Sequence, residues 1–220
     1  MKKSTWRKHH KVLGLGLCFF MFMFAMSGIV LNHRPFFSKV NVGRTLLPAY
    51  KFSKWNGGLL RGTLPLDSAN VLIYGYAGMW LSHNGTVADF NEGLPSYADY
   101  RIVKNVVMMP DSSLFAATQY GLYHRPKNSG KWLPSSMSLG MERLSDVACL
   151  GDSLVVISRD RAFLALPPYS SFTQISLPAG SDYEGKVSLF RVVWLLHSGE
   201  MFGMAGKIVL DLLGIVMALL

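Results

Sequence analysis

Cysteine is nearly absent from this chain: Cys18 and Cys149 are the two in 220 residues. Cys18 falls within a long apolar run and Cys149 in polar sequence, so neither a disulfide framework nor a zinc-type spacing is available. A domain of this size without disulfides relies on its own core, which fits a bacterial periplasm. Acid is missing from the first eleven residues, where Lys2, Lys3, Arg7, Lys8 and Lys11 stand. A phosphate-binding glycine loop is missing too, because Gly14-Leu15-Gly16 sits inside the apolar run rather than after a strand. No serine-centred elbow occurs, and no acid pair recurs at matching places in the repeats described below. Nothing in the soluble region therefore reads as catalytic.

What is present starts with Val12–Leu31, twenty residues with no charge and Ser27 as the one hydroxyl. At about 1.5 Å per residue this makes about 30 Å of helix, the thickness of a bilayer's hydrocarbon core. The basic flank before it places the N-terminus in the cytoplasm by the positive-inside rule, and that reading displaces nucleic acid as the partner of a chain with net charge +9. A cleaved signal peptide is the rival, since Ala25-Met26-Ser27 resembles a small-x-small cleavage site. The apolar run, however, is longer than a usual h-region and continues past that point. The expected layout is a cytoplasmic segment 1–11, a transmembrane helix 12–33, a periplasmic β-rich repeat domain 34–186, an interfacial amphipathic helix 187–207, and the start of a second span at 208–220. Thirteen apolar residues are too short to cross unaided, so the chain reads as ending within that span. Lys207 and Asp211, four apart, are expected on one helix face, softening each other's cost near the interface.

The middle region repeats. Val71–Trp80, Leu114–Tyr123 and Leu154–Phe163 align, with starts 43 and 40 residues apart, and each unit closes with a Leu-Pro (Leu94-Pro95, Leu133-Pro134, Leu177-Pro178). Within a unit the text reads as four short strands and their turns, for example 102–109, 114–119, 122–125 and 131–133. A period near 40 with four strands is the pattern of propeller blades. Three units are clear and a closed propeller needs at least four, so Val40–Leu64 is expected to supply a degenerate extra blade; otherwise the structure stays open. Trp80, Tyr123 and Phe163 read as blade packing. His83 and His124 read as surface residues, Asn84-Gly85 as a hairpin turn, and Asp111 and Asp152 as turn residues.

Histidines punctuate the apolar segments. Trp6–Leu15, with His9 and His10, followed by Ser27–Arg34, with Asn32-His33-Arg34, resembles the first helix of the PepSY-associated transmembrane family. Leu196-His197-Ser198-Gly199-Glu200 with Gly206-Lys207 and Leu210–Gly214 is similar to that family's next helix. The likeness covers about 65 residues at the two ends. It implies an inner-membrane protein whose helix histidines hold haem b, taking part in electron transfer to ferric iron or a ferric chelate. His33 and His197 are then the axial iron ligands, and His10 serves a second haem at the cytoplasmic face with another histidine from a helix that this chain lacks; the partners implied are further membrane subunits or the ferric chelate. The fold class expected is a membrane-anchored mixed α/β chain: one transmembrane helix at each end and a periplasmic all-β domain between them. Two other readings remain open, a membrane-anchored β-repeat binding module and a non-catalytic remnant of a longer membrane protein.

Overall fold

The structure is a computed structural model that describes residues 3–47, 56–137, 143–178, 180 and 184–219. It divides into two compact units, Met1–Phe37 with Gly180–Leu220, and Ser38–Ala179.

The second unit is built from three four-stranded antiparallel meanders. The first holds β1 (Leu60–Pro65), β2 (Asn70–Gly75), β3 (Gly78–His83) and β4 (Thr86–Asp89). The second holds β5 (Val103–Met108), β6 (Leu114–Thr118), β7 (Gly121–Arg125) and β8 (Leu133–Pro134). The third holds β9 (Leu144–Leu150), β10 (Ser153–Ser158), β11 (Ala162–Ala165) and β12 (Thr173–Ile175). The 40-residue repeat is thus one sheet per unit. Among the described residues the sheets do not close into a ring. Among the described residues Val40–Leu64 supplies no extra blade: β1 is the outer strand of the first sheet, pairing Thr63 with Ile73, and residues 48–55 lie outside those described. The repeated segments Val71–Trp80, Leu114–Tyr123 and Leu154–Phe163 begin on the second strand of each sheet, so β1 lies ahead of the first of them.

The turns follow local chemistry. Asn84 (φ 46°) and Gly85 (φ 82°) both lie in the left-handed region, as a two-residue hairpin with right-twisted strands requires. Asp111 accepts the Ser113 N–H at 2.8 Å through Oδ1, the expected turn role.

The sheets stack face to face, which explains why all five residues of β6 are buried. With a period of two, Phe115 and Ala117 enter one core with Leu144, Val147, Leu154, Val156 and Phe163, while Leu114 and Ala116 enter another with Leu72, Met79, Val103 and Trp132. Phe163 and Tyr123 serve in these cores as expected, and Trp80 is half-buried.

The first strand of each sheet carries an irregularity at the same place, between Leu60 and Gly62, Val103 and Asn105, and Leu144 and Asp146. A bulge re-aims the side chain beside it. Here it turns Asn105 into a tie across all three sheets. Its Oδ1 accepts the Tyr74 hydroxyl at 2.7 Å, and its Nδ2 donates to Asp146 Oδ1 at 2.8 Å and to the Val147 carbonyl at 3.1 Å.

His124 departs from the surface role expected of it. It is half-buried, stacked on Phe115 with ring centroids 4.3 Å apart, and its Nε2 is buried without a hydrogen-bond partner. Burial pushes its pKa down, with Asp111 opposing. His83 is exposed, bonded through Nδ1 to Asn70 Oδ1 at 2.8 Å.

The first unit is helical. α1 (Lys3–Asn32) is followed by a single turn, α2 (Arg34–Phe37). At the other end of the chain come α3 (Leu189–His197), a 3-10 turn over Glu200–Phe202, and α4 (Gly203–Leu219). The stretch 187–207 is therefore two helices and not one. Ser188 caps α3 by accepting the Arg191 N–H at 3.2 Å, and Gly199 ends it in the left-handed conformation (φ 71°). A Cβ at Gly199 would stand 2.6 Å from the Gly206 carbonyl carbon, so the corner also needs glycine for space. The apolar helix begins before residue 208. Trp6–Asn32 and Glu200–Ala218, 27 and 19 residues with mean hydropathy 2.2 and 1.8, are long and apolar enough to cross a membrane.

Candidate functional site

α1 and α4 run antiparallel: Ala25 faces Gly214, while the end of α1 reaches Asp211. The small pair lets the backbones approach, since a Cβ on Gly214 would sit 3.8 Å from that of Ala25. One helical turn from there the contact becomes polar. Asn32 Nδ2 donates to Asp211 Oδ1 at 2.9 Å, and His33 Nε2 bonds to Asp211 Oδ2 at 2.8 Å. The Asp211 side chain is 15% exposed and that of His33 54%. An acid in an apolar helix is costly unless both oxygens find partners, and Asn32, the last residue of α1, and His33 just beyond it supply them.

Lys207, expected to share a face with Asp211, has a different partner: its Nζ lies 3.6 Å from Glu200 Oε1. The 3-10 turn brings Glu200 under the first turn of α4, while Asp211 is already engaged by the other helix.

The three histidines expected as ligands differ in what they can offer. His33 Nε2 is engaged by the Asp211 carboxylate. Ligating a metal through that nitrogen would break the bond to Asp211. His33 therefore does not fit a haem through Nε2 while that nitrogen is bonded to Asp211. His197, the last residue of α3, and His10, in the basic part of α1, are both exposed and make no hydrogen bond among the described residues. Their imidazoles fit the donor chemistry of axial ligation. Among the described residues no three His, Cys, Asp or Glu side chains gather as a metal site. Cys18 and Cys149 are free thiols in different units.

A pair of apolar helices flanking an all-β unit, with Asn-His at the end of the first and His-Ser-Gly before the second, is a specific combination. The family model for the PepSY-associated TM region matches residues 1–220. The chain belongs to the PepSY-associated TM region family.

No curated protein matches the sequence. Among solved structures, the extracellular domain of BT4673 from B. thetaiotaomicron is similar at 14% identity and TM-score 0.44, covering 52% of this chain and 16% of that one. The N-terminal domain of Nup159 is similar at 11% identity and TM-score 0.38, covering 54% of this chain and 34% of that one. In both cases this family member spans well under half of the other chain.

What the sequence reading missed at this site is the pairing of Asp211 with Asn32. The available signal was an acid in an apolar segment of one helix and an amide-imidazole pair at the end of another.

Proposed function

We propose that this chain is an inner-membrane protein with a cytoplasmic N-terminus and residues 34–186 in the periplasm, taking part in transmembrane electron transfer to ferric iron or ferric chelates. Family membership together with the unengaged imidazoles of His197 and His10 supports the reading. When bound, haem b supplies one-electron chemistry between ferric and ferrous iron. His197 and His10 would each hold the group through one imidazole nitrogen, alongside a second ligand from another helix. His33 positions the helices: it binds Asp211 and keeps α1 against α4. The test is the absorption spectrum of the full-length protein purified in detergent. A Soret band weakened by His197→Ala or His10→Ala, and retained in His33→Ala, supports the assignment. Absence of the band in haem-supplied cells, or a band indifferent to both His197→Ala and His10→Ala, overturns it. A reporter fused at about residue 100 that reads cytoplasm overturns the topology.

A second reading, a membrane-anchored binding module, is favoured by a cationic groove in the β unit.

A further inference from the structure

Arg125 ends β7 and has no carboxylate or carbonyl oxygen as a hydrogen-bond acceptor among the described residues. Its guanidinium carbon lies 3.8 Å over the centre of the Phe90 ring and 6.0 Å from that of Trp132. These rings are fixed. Trp132 is 1% exposed, its Nε1 donates to the Phe90 carbonyl at 2.8 Å, and its backbone N–H donates to the Glu92 carbonyl at 2.8 Å. An aromatic pair thus holds a guanidinium by its flat face and leaves its N–H fork unsatisfied.

The fork opens on a groove of about 350 Å³. Leu66, Phe90, Met108, Leu114 and Pro126 form its apolar wall, and Ser112, Ser129, Arg125 and Lys127 its polar wall. No acid lines it. The nearest acid that acts on Arg125, Glu92, is engaged by Lys131 at 3.0 Å. Lys127 is exposed and pairs with no carboxylate among the described residues. Burial disfavours the charge on Arg125, so an arriving anion meets a cation that water does not fully screen. The volume falls at the small end of the range for small-molecule sites.

We propose that this groove, between the first and second sheets, binds a small organic carboxylate with a flat apolar body, its carboxylate taken bidentately by Arg125 and its body laid against Phe90, Leu66 and Leu114. The chemistry follows from the two walls: a fork that matches a planar carboxylate, a second cation beside it, and apolar surface for the rest of the molecule. This site is independent of the redox reading, since it uses no histidine and no helix.

The test is calorimetric titration of the full-length protein in uncharged detergent at low salt, with 2-naphthoate as the probe and 2-naphthamide as its uncharged counterpart. Saturable binding of 2-naphthoate and none of 2-naphthamide is expected. Arg125→Gln should weaken binding about tenfold or more, and Arg125→Lys should fail to restore it, because a point charge does not reproduce the fork. Absence of saturable 2-naphthoate binding, equal binding of the amide, or unchanged affinity in a folded Arg125→Gln protein overturns the proposal. If Arg125→Gln does not fold, the exposed Lys127→Gln decides. A loss of about threefold with a shallower salt dependence supports the site, and unchanged affinity overturns it. No outcome involves a haem spectrum, so failure here leaves the redox assignment where it stood.

Discussion

Asn32 and His33 grip both oxygens of Asp211, at 2.9 and 2.8 Å, across 179 and 178 residues of chain. The carboxylate is mostly buried while the imidazole is half-exposed, so the contact reads as an anchor for the acid held from the end of α1.

Asp211→Ala removes the acceptor and strands two donors. The association of α1 with α4 should weaken by about 1–2 kcal/mol, the upper part of the range for interhelical polar contacts in membranes. Disulfide trapping checks it. With Cys18 and Cys149 replaced by Ser, Ala25→Cys and Gly214→Cys should cross-link readily, because their Cβ atoms lie about 3.8 Å apart. Asp211→Ala should slow the reaction several-fold, and an unchanged rate would show that the clamp holds nothing.

Asn105 uses its side chain toward both neighbouring sheets. Asn105→Leu keeps the bulk and removes all of these bonds, leaving the Tyr74 hydroxyl and Asp146 carboxylate without their partner. A loss of about 2–3 kcal/mol is expected in thermal or urea unfolding followed by tryptophan fluorescence. Asn105→Asp, which retains the acceptor toward Tyr74 but faces Asp146 with like charge, should not recover it.

Gly93 and Gly151 both have positive φ, 95° and 59°. They differ in surroundings: a Cβ at Gly93 would stand 2.1 Å from the Trp132 carbonyl oxygen, whereas one at Gly151 meets nothing within 4 Å. Gly151→Ala should cost about 1 kcal/mol from backbone conformation alone. Gly93→Ala should cost at least about 3 kcal/mol, since the backbone itself must move. Equal melting temperatures for the two variants would refute the crowding argument.

Burial pushes the His124 pKa below the ordinary value near 6.5, so the fold favours its neutral form. Unfolding lets it take up a proton, so the unfolded state binds more protons than the native one over the window below pH 6.5. Stability from this group is present above that value and falls as pH drops through the window toward the folded pKa. His124→Phe, which keeps the stack on Phe115, should flatten the decline in melting temperature between pH 7 and pH 5. If the wild-type and variant curves run parallel, His124 contributes nothing to acid sensitivity.

The two apolar helices and the three repeated units were readable from the chain because each depends on neighbours in sequence: unbroken hydropathy for the length of a bilayer, and strand-turn alternation with Asn84-Gly85 or Asp111 at the corners. The same local logic mistook the frame of the first sheet, since β1 resembles its partner strands only through its pairing. Tertiary structure alone placed Asp211 against the end of α1 and not beside Lys207, set Arg125 on the rings of Phe90, just after β4, and Trp132, just before β8, and stacked a half-buried His124 on Phe115. Those contacts join residues that no period connects. A carboxylate takes whichever donors the packing brings within 3 Å, and a side chain's burial is decided by what is stacked above it.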